Sequence, residues 1–114
     1  MAQPVTHFEI HGKDGKKTQE FYSKLFGWNI DANNPMNYGM IAAGERGIGG
    51  GVTESPNAPM VTFYVEVADL DAALKKAESL GGKTTMPPME VPGGPKIAMF
   101  ADPDGNVIGL AVGM

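Results

Sequence analysis

The chain has two histidines, and both lie in one short stretch, Thr6-His7-Phe8-Glu9-Ile10-His11. Imidazole changes charge near neutral pH and is a common ligand for transition metals, and a carboxylate beside it can take its proton or complete a ligand set. In an extended segment, successive side chains point to opposite faces. His7, Glu9 and His11 therefore share one face, and Phe8 and Ile10 share the other. The row is either a site or a polar lining. As a metal site it has the right donors, since two histidines and a carboxylate suit Fe(II) or Zn(II). The spacing argues against it. His7 and His11 stand ~13 Å apart along a strand, while bonds to a metal are ~2 Å long. As an acid–base site, the row offers His7 with Glu9, and His11 with Glu66 from a later strand. If the row is only a lining, Glu9 and Glu66 lie at a solvated rim or a subunit seam, paired with Lys13, Lys83 or Lys96.

The elements that must carry these residues follow from the pattern. Residues 4–11 read as a strand. Asp14 is placed to cap a helix over 16–26, with Thr18, Phe21, Tyr22, Leu25 and Phe26 on its buried stripe and Gly27 as its stop. Short strands are expected at 28–30, 38–43 and 48–52. A polar connector, 53–59, leads to a second round. This has a strand at 61–67 with Phe63, Val65 and Val67 on one face, Asp69 as a cap, and a helix through Leu70, Ala73, Leu74, Ala77 and Leu80. Gly81-Gly82 is the stop, followed by a strand at 83–86, a Pro/Gly-rich loop at 87–95 and a closing hairpin over 96–112. Sliding the second half onto the first pairs His7 with Thr62, Phe8 with Phe63, Asp14 with Asp69 and Gly27 with Gly82. Recurrence of both caps and both stops in register marks an internal duplication.

Composition bounds the rest. The chain is 114 residues long, one domain's worth, with a formal net charge of −4 and no cysteine. Disulfides, thiolate nucleophiles and cysteine-ligated metals are excluded. The acidic balance argues against a nucleic-acid partner. The first residues show no basic patch followed by an apolar run, and no stretch approaches the ~18 apolar residues of a membrane span. A cytoplasmic protein is expected. Gly47–Gly51 is not a phosphate loop, because no Gly-Lys-Ser/Thr follows and no helix opens there. No Ser–His–Asp order, zincin motif or dinucleotide fingerprint is present. Glycine inside a strand suggests a bulge or close approach by another group. At Gly49-Gly50-Gly51 and at Gly109, that group would be a ligand or a partner chain.

Several motifs resemble the vicinal oxygen chelate superfamily of glyoxalases, bleomycin-resistance proteins and extradiol dioxygenases. They are Phe21-Tyr22 with Leu25-Phe26-Gly27-Trp28, then Val67-Ala68-Asp69-Leu70-Asp71-Ala72-Ala73, Gly81-Gly82 and Asp102-Pro103-Asp104-Gly105-Asn106. The resemblance covers essentially the whole chain and implies an α+β fold. Two tandem βαβββ modules, 4–52 and 60–113, would form a curved mixed sheet in one glyoxalase-like domain, 1–114, with helices outside. It also implies a cup holding a small molecule, and frequent homodimers. Metal-dependent members place ligands on the first and last strand of each module, which here are His7, Gly51, Thr62 and Gly109. Only His7 is an ordinary donor, so no cofactor is expected, and a divalent metal at His7 is the exception.

The leading expectation is a metal-independent small-molecule-binding protein of the bleomycin-resistance kind, forming a homodimer. Its ligand would be organic, partly aromatic or apolar, and cationic if Glu9 and Glu66 line the site. The residues that would hold it are His7, Glu9, His11, Thr62, Tyr64, Glu66, Trp28, Gly51 and Gly109, with His7 and Glu9 the catalytic candidates. Tyr38, Met40, Met86, Met89 and Met99 offer further apolar surface or ordinary core packing. The alternative is a lyase, isomerase or dioxygenase using a metal at His7 with an unusual ligand set. A third possibility is a subunit whose cup is filled by its own partner.

Overall fold

The computed structural model describes residues 2–113. The chain is α+β, with seven strands and two helices. It divides into two compact units, one spanning His7–Thr62 and the other formed by the residues up to Thr6 together with those from Phe63 onward.

In the His7–Thr62 unit, β1 (Val5–Gly12) runs parallel to β3 (Gly49–Glu54), and β2 (Gly39–Ile41) pairs with β3 antiparallel. The β1–β3 register sets His7 opposite Gly49, Phe8 opposite Gly50 and Glu9 opposite Gly51. Helix α1 (Gly15–Phe26) starts where the Asp14 carboxylate accepts from the Lys17 N–H at 3.1 Å. It stops at Gly27, whose φ of 71° suits a residue without Cβ. Gln19 ties the helix to β3 by donating from Nε2 to the Val52 carbonyl at 2.9 Å.

The expected strand at 28–30 does not form. Only a bridge between Asp31 and Met40 survives there. Trp28 is drawn instead into an aromatic cluster, with ring centroids 5.4 Å from Phe8, 5.7 Å from Tyr22 and 5.0 Å from Phe26. The predicted stripe of α1 is only partly covered: Phe21, Leu25 and Phe26 are each more than half exposed.

The second unit repeats the plan with one more strand. The end of β4 (Met60–Glu66) runs parallel to β7 (Val107–Val112). β6 (Lys96–Ala101) pairs antiparallel with β7, and β5 (Lys83–Glu90) antiparallel with β6. Helix α2 (Leu70–Ser79) is capped by Asp69, which accepts from the Ala72 N–H at 3.0 Å. Its apolar face meets the strands in a core of Val67, Leu70, Leu74, Ala98 and Leu110. The first and last strands of the duplicated motif are thus parallel neighbours in both units.

Two expectations fail in this second unit. β5 continues through Pro87 and Pro88 to Glu90, with register shifts after Thr84 and after Met86. At the edge of this unit's sheet, proline is tolerated because its missing N–H faces no ladder partner. The alternation of β4 also misleads. Val65 packs beside the α2 core, but Val61 is 71 % exposed and Phe63 39 %, whereas Thr62 and Tyr64 are 4 % exposed. The helix covers only the end of the strand.

The Asp102–Asn106 turn that closes β6 onto β7 is built around one carboxylate. Asp102 accepts from the Asn106 side-chain amide at 2.8 Å, and from the backbone N–H groups of Asn106 and Asp104 at 2.9 Å. These bonds, the side-chain amide first, hold its carboxyl below the usual carboxylate range.

Candidate functional site

The polar row of β1 is a connected chain of hydrogen bonds. Glu9 is 8 % exposed, more buried than Phe8 on the opposite face. Burying a carboxylate is costly unless both oxygens find donors. Both do. His11 Nε2 lies 2.7 Å from Oε1, and the Tyr38 hydroxyl donates to Oε2 at 2.8 Å. The Tyr38 oxygen is in turn 2.8 Å from His7 Nε2, and the His7 and Tyr38 rings stack at 17° with centroids 6.3 Å apart. The order is His7–Tyr38–Glu9–His11.

Protons can be placed on this chain by counting. A tyrosine hydroxyl has one hydrogen, and Tyr38 gives it to Glu9. His7 Nε2 must then donate to Tyr38. On the far side, the Glu9 carboxylate accepts a hydrogen bond from His11 Nε2. His7 is kept neutral, since burial pushes its imidazole below the ordinary value and the charge of Glu9 opposes this only in part. At the His11 end, Nδ1 is buried and has no hydrogen-bond partner among the described residues. A desolvated polar atom left unmet costs about 1–3 kcal/mol.

Tyr38 reaches Glu9 because of two features of the sequence. Gly51, opposite Glu9 on β3, has no side chain, and the Tyr38 ring occupies the space a Cβ would need. Asn34 fixes the tyrosine backbone: Nδ2 donates to the Tyr38 carbonyl at 2.7 Å, and Oδ1 accepts from its N–H at 2.9 Å. Gly50 and Gly109 follow the same logic, whereas a Cβ on Gly49 would meet the backbone of Ile41 and Ala43. Phe8 fills the space above Gly50, its register partner, and Tyr64 fills the space above Gly109. Aromatic rings across a strand from glycine shield its exposed backbone. At Gly50, Gly51 and Gly109 the close approach is made by the chain's own aromatics, where a ligand or partner chain was expected.

The candidate residues are thus sorted. His7, Glu9 and His11 are brought together, with Gly51 beneath Tyr38. Trp28 is not brought to them, because it packs on Phe8, whose side chain leaves β1 from the other face. Thr62, Tyr64, Glu66 and Gly109 belong to the strands β4 and β7. Tyr38 bridges His7 and Glu9, and the carboxylate that His11 meets is that of Glu9, two residues before it, where Glu66 was expected. Lys96 pairs with Glu90, at 3.8 Å. Tyr38 and Asn34 were missed as site residues. Their signal was the glycine at 51, which asked what large group lay over it. A separate groove of about 460 Å³ lies in the second unit, lined by Val65, Leu80, Phe100 and Pro103 with Lys76 and Asp102 at its polar edge. It gathers no comparable set of proton-moving groups.

The sequence of residues 5–110 matches the family model described as the Glyoxalase/Bleomycin resistance protein/Dioxygenase superfamily. The chain belongs to this superfamily. Among its relatives is CFP32 of Mycobacterium tuberculosis (strain CDC 1551 / Oshkosh), 27% identical over 112 residues, covering 90% of this chain and 42% of that protein. The anthracycline biosynthesis protein DnrV of Streptomyces peucetius is 29% identical over 117 residues, covering 86% of this chain and 42% of its own length. The chain therefore spans less than half the length of these curated relatives. A solved glyoxalase/bleomycin resistance protein/dioxygenase superfamily member from Vibrio splendidus 12B01 shares the fold. Its TM-score is 0.66 at 15% identity, over 97% of this chain and 99% of that one.

Many superfamily members use a divalent metal, so the donor set was tested for one. Of the four corresponding positions, Gly51 and Gly109 have no side chain, and aromatic rings lie where a donor would start. His7 Nε2 is engaged by Tyr38, and both Glu9 oxygens are engaged by Tyr38 and His11. Among the described residues, no three His, Asp or Glu side chains are grouped to hold an ion. The residues do not fit a divalent metal at the superfamily position.

Proposed function

We propose that this chain is a metal-independent small-molecule-binding protein of the glyoxalase/bleomycin-resistance type. Its recognition surface is the polar face of β1 with Tyr38 laid across it. The observation that carries this is the His7–Tyr38–Glu9–His11 chain, which leaves one buried polar atom, His11 Nδ1, without a partner among the described residues. Such a group suits a ligand that completes the chain better than an ion that would have to dismantle it. The name of DnrV ties that protein to anthracycline biosynthesis, and this agrees with an organic ligand here. A cationic ligand loses its main support, because the charge of Glu9 is already shared by two donors. In this reading the protein is cytoplasmic and forms a homodimer, with the exposed Phe21, Leu25 and Phe26 of α1 as candidates for cover.

The test is a thermal-shift screen over aromatic and hydroxylated compounds, run beside metal analysis of protein purified without chelator. A binder shows a midpoint that rises with ligand concentration by mass action, with no stoichiometric metal. A stoichiometric divalent ion lost in His7→Ala overturns metal independence. A silent screen over the whole panel overturns the binding role.

One observation favours a second reading. The 2.7 Å Glu9–His11 contact is the arrangement that supports an imidazole acting as a base. A compound that both binds and is turned over, with the turnover lost in Glu9→Gln, would establish that reading.

A further inference from the structure

We propose that a second copy of this chain covers the groove beside α2, with Phe21 and Leu25 of its own α1 seated among Val65, Leu80, Phe100 and Pro103. The inference rests on the homodimer reading above and gives that dimer its contact.

Both halves of the contact are present in one chain. The convex half is α1. Phe21 and Leu25 stand one helical turn apart, so they form a ridge on one face, and each is more than half exposed. The helix is held in its own unit without them: Gln19 ties it to β3, and Tyr22 and Phe26 close on Trp28. The concave half is the groove of about 460 Å³. On its α2 wall stand two alanines, Ala73 and Ala77, whose methyl groups leave Val65 and Phe100 of the sheet only partly covered. Leu80, just past the end of α2, is 70 % exposed in the groove lining. Contiguous apolar surface of this kind marks an interaction site.

Charge selects a second copy as the occupant. The groove's polar edge holds one cation and one anion, Lys76 and Asp102. Asp102 keeps its charge, since its bonds within the turn come from neutral donors. An apolar molecule would leave both charges unmet, and a partner of one sign would satisfy one and repel the other. The flank of the α1 ridge carries the matching pair, Glu20 and Lys24, again one turn apart and exposed. Glu20, Lys24 and Lys76 form no ion pair among the described residues. Seating α1 sets Glu20 against Lys76 and Lys24 against Asp102, which fixes the register of ridge in groove. Pairing α1 with α1 would cover the ridge and leave the groove open. Each copy brings both halves, so one kind of contact covers both apolar surfaces.

The experiment is sedimentation equilibrium on the full chain, with circular dichroism to check that each variant is folded. The wild type should associate reversibly. Leu25→Glu and Leu80→Glu, both at exposed positions, should each weaken association by about tenfold or more. An equal mixture of the two should associate more tightly than either alone, because the intact ridge of one meets the intact groove of the other. Glu20→Lys should also weaken association, and adding Lys76→Glu should restore it. A variant that merely misfolds is not repaired in this way. Association that Leu80→Glu leaves unchanged overturns the contact, as does a Glu20→Lys defect that Lys76→Glu fails to repair; in both cases the homodimer reading stands. A wild type that stays monomeric up to its solubility limit overturns the contact and the homodimer reading together.

Discussion

The side-chain amide of Asn34 grips Tyr38 by both of its backbone groups, donating to the carbonyl at 2.7 Å and accepting from the N–H at 2.9 Å. The segment 34–38 is thereby closed into a turn that sets the tyrosine down over Gly51. Asn34→Ala should cost about 1–2 kcal/mol, read by equilibrium urea unfolding. Asn34→Asp, which keeps the acceptor and loses the donor, should recover part of that loss. A purely structural turn would stop there. A positioning role also predicts that Asn34→Ala weakens ligand binding while Asn34→Asp restores some of it.

Tyr38→Phe tests the hydroxyl with the ring left in place. It removes the hydroxyl bonded to Glu9 Oε2 and to His7 Nε2. Losing these two bonds should cost about 1–3 kcal/mol in urea unfolding. The slope of free energy against urea should stay the same, since no surface is newly exposed.

Gly51→Ala puts a methyl where the Tyr38 ring lies. Overpacking of this kind costs about 1–3 kcal/mol. The cost should largely disappear when Tyr38 is also made alanine. The double variant should then be more stable than the sum of the singles predicts, which a double-mutant cycle measures directly.

His7 supplies a pH dependence. Its imidazole is held below the ordinary value in the folded chain, by burial first, with Glu9 opposing. The unfolded chain takes up that proton near pH 6.5, while the folded chain refuses it. The stabilisation from a neutral His7 is therefore fully present above about pH 6.5. It is lost as the pH falls from there through the lowered folded value. Melting temperatures measured from pH 8 to pH 5 should fall, and His7→Gln, which keeps a donor for Tyr38, should fall less.

Much of this was legible in the sequence because the duplication repeats its punctuation. Asp14 and Asp69 cap the two helices, Gly27 ends the first, and Gly51 and Gly109 lie on the closing strands β3 and β7. The face shared by His7, Glu9 and His11 needed only the two-residue period of a strand. Burial was less legible. Val61 and Phe63 alternate like core residues, yet α2 packs only against the strand's end. The missing strand at 28–30 reflects a competition that periodicity does not see: Trp28 gains more from Phe8, Tyr22 and Phe26 than from pairing its backbone. Tyr38 was hidden for a related reason. A tyrosine near a strand looks like packing until the glycine 13 positions later is seen to be its seat.

That seat has an evolutionary consequence. A carboxylate or imidazole introduced at position 51 by a single codon change meets an aromatic ring before it meets anything else. The tyrosine has to shrink first, and its loss strips Glu9 of a partner. A donor at position 51 thus becomes accessible only after a change at position 38, and the order in which the two substitutions come decides whether either is tolerated.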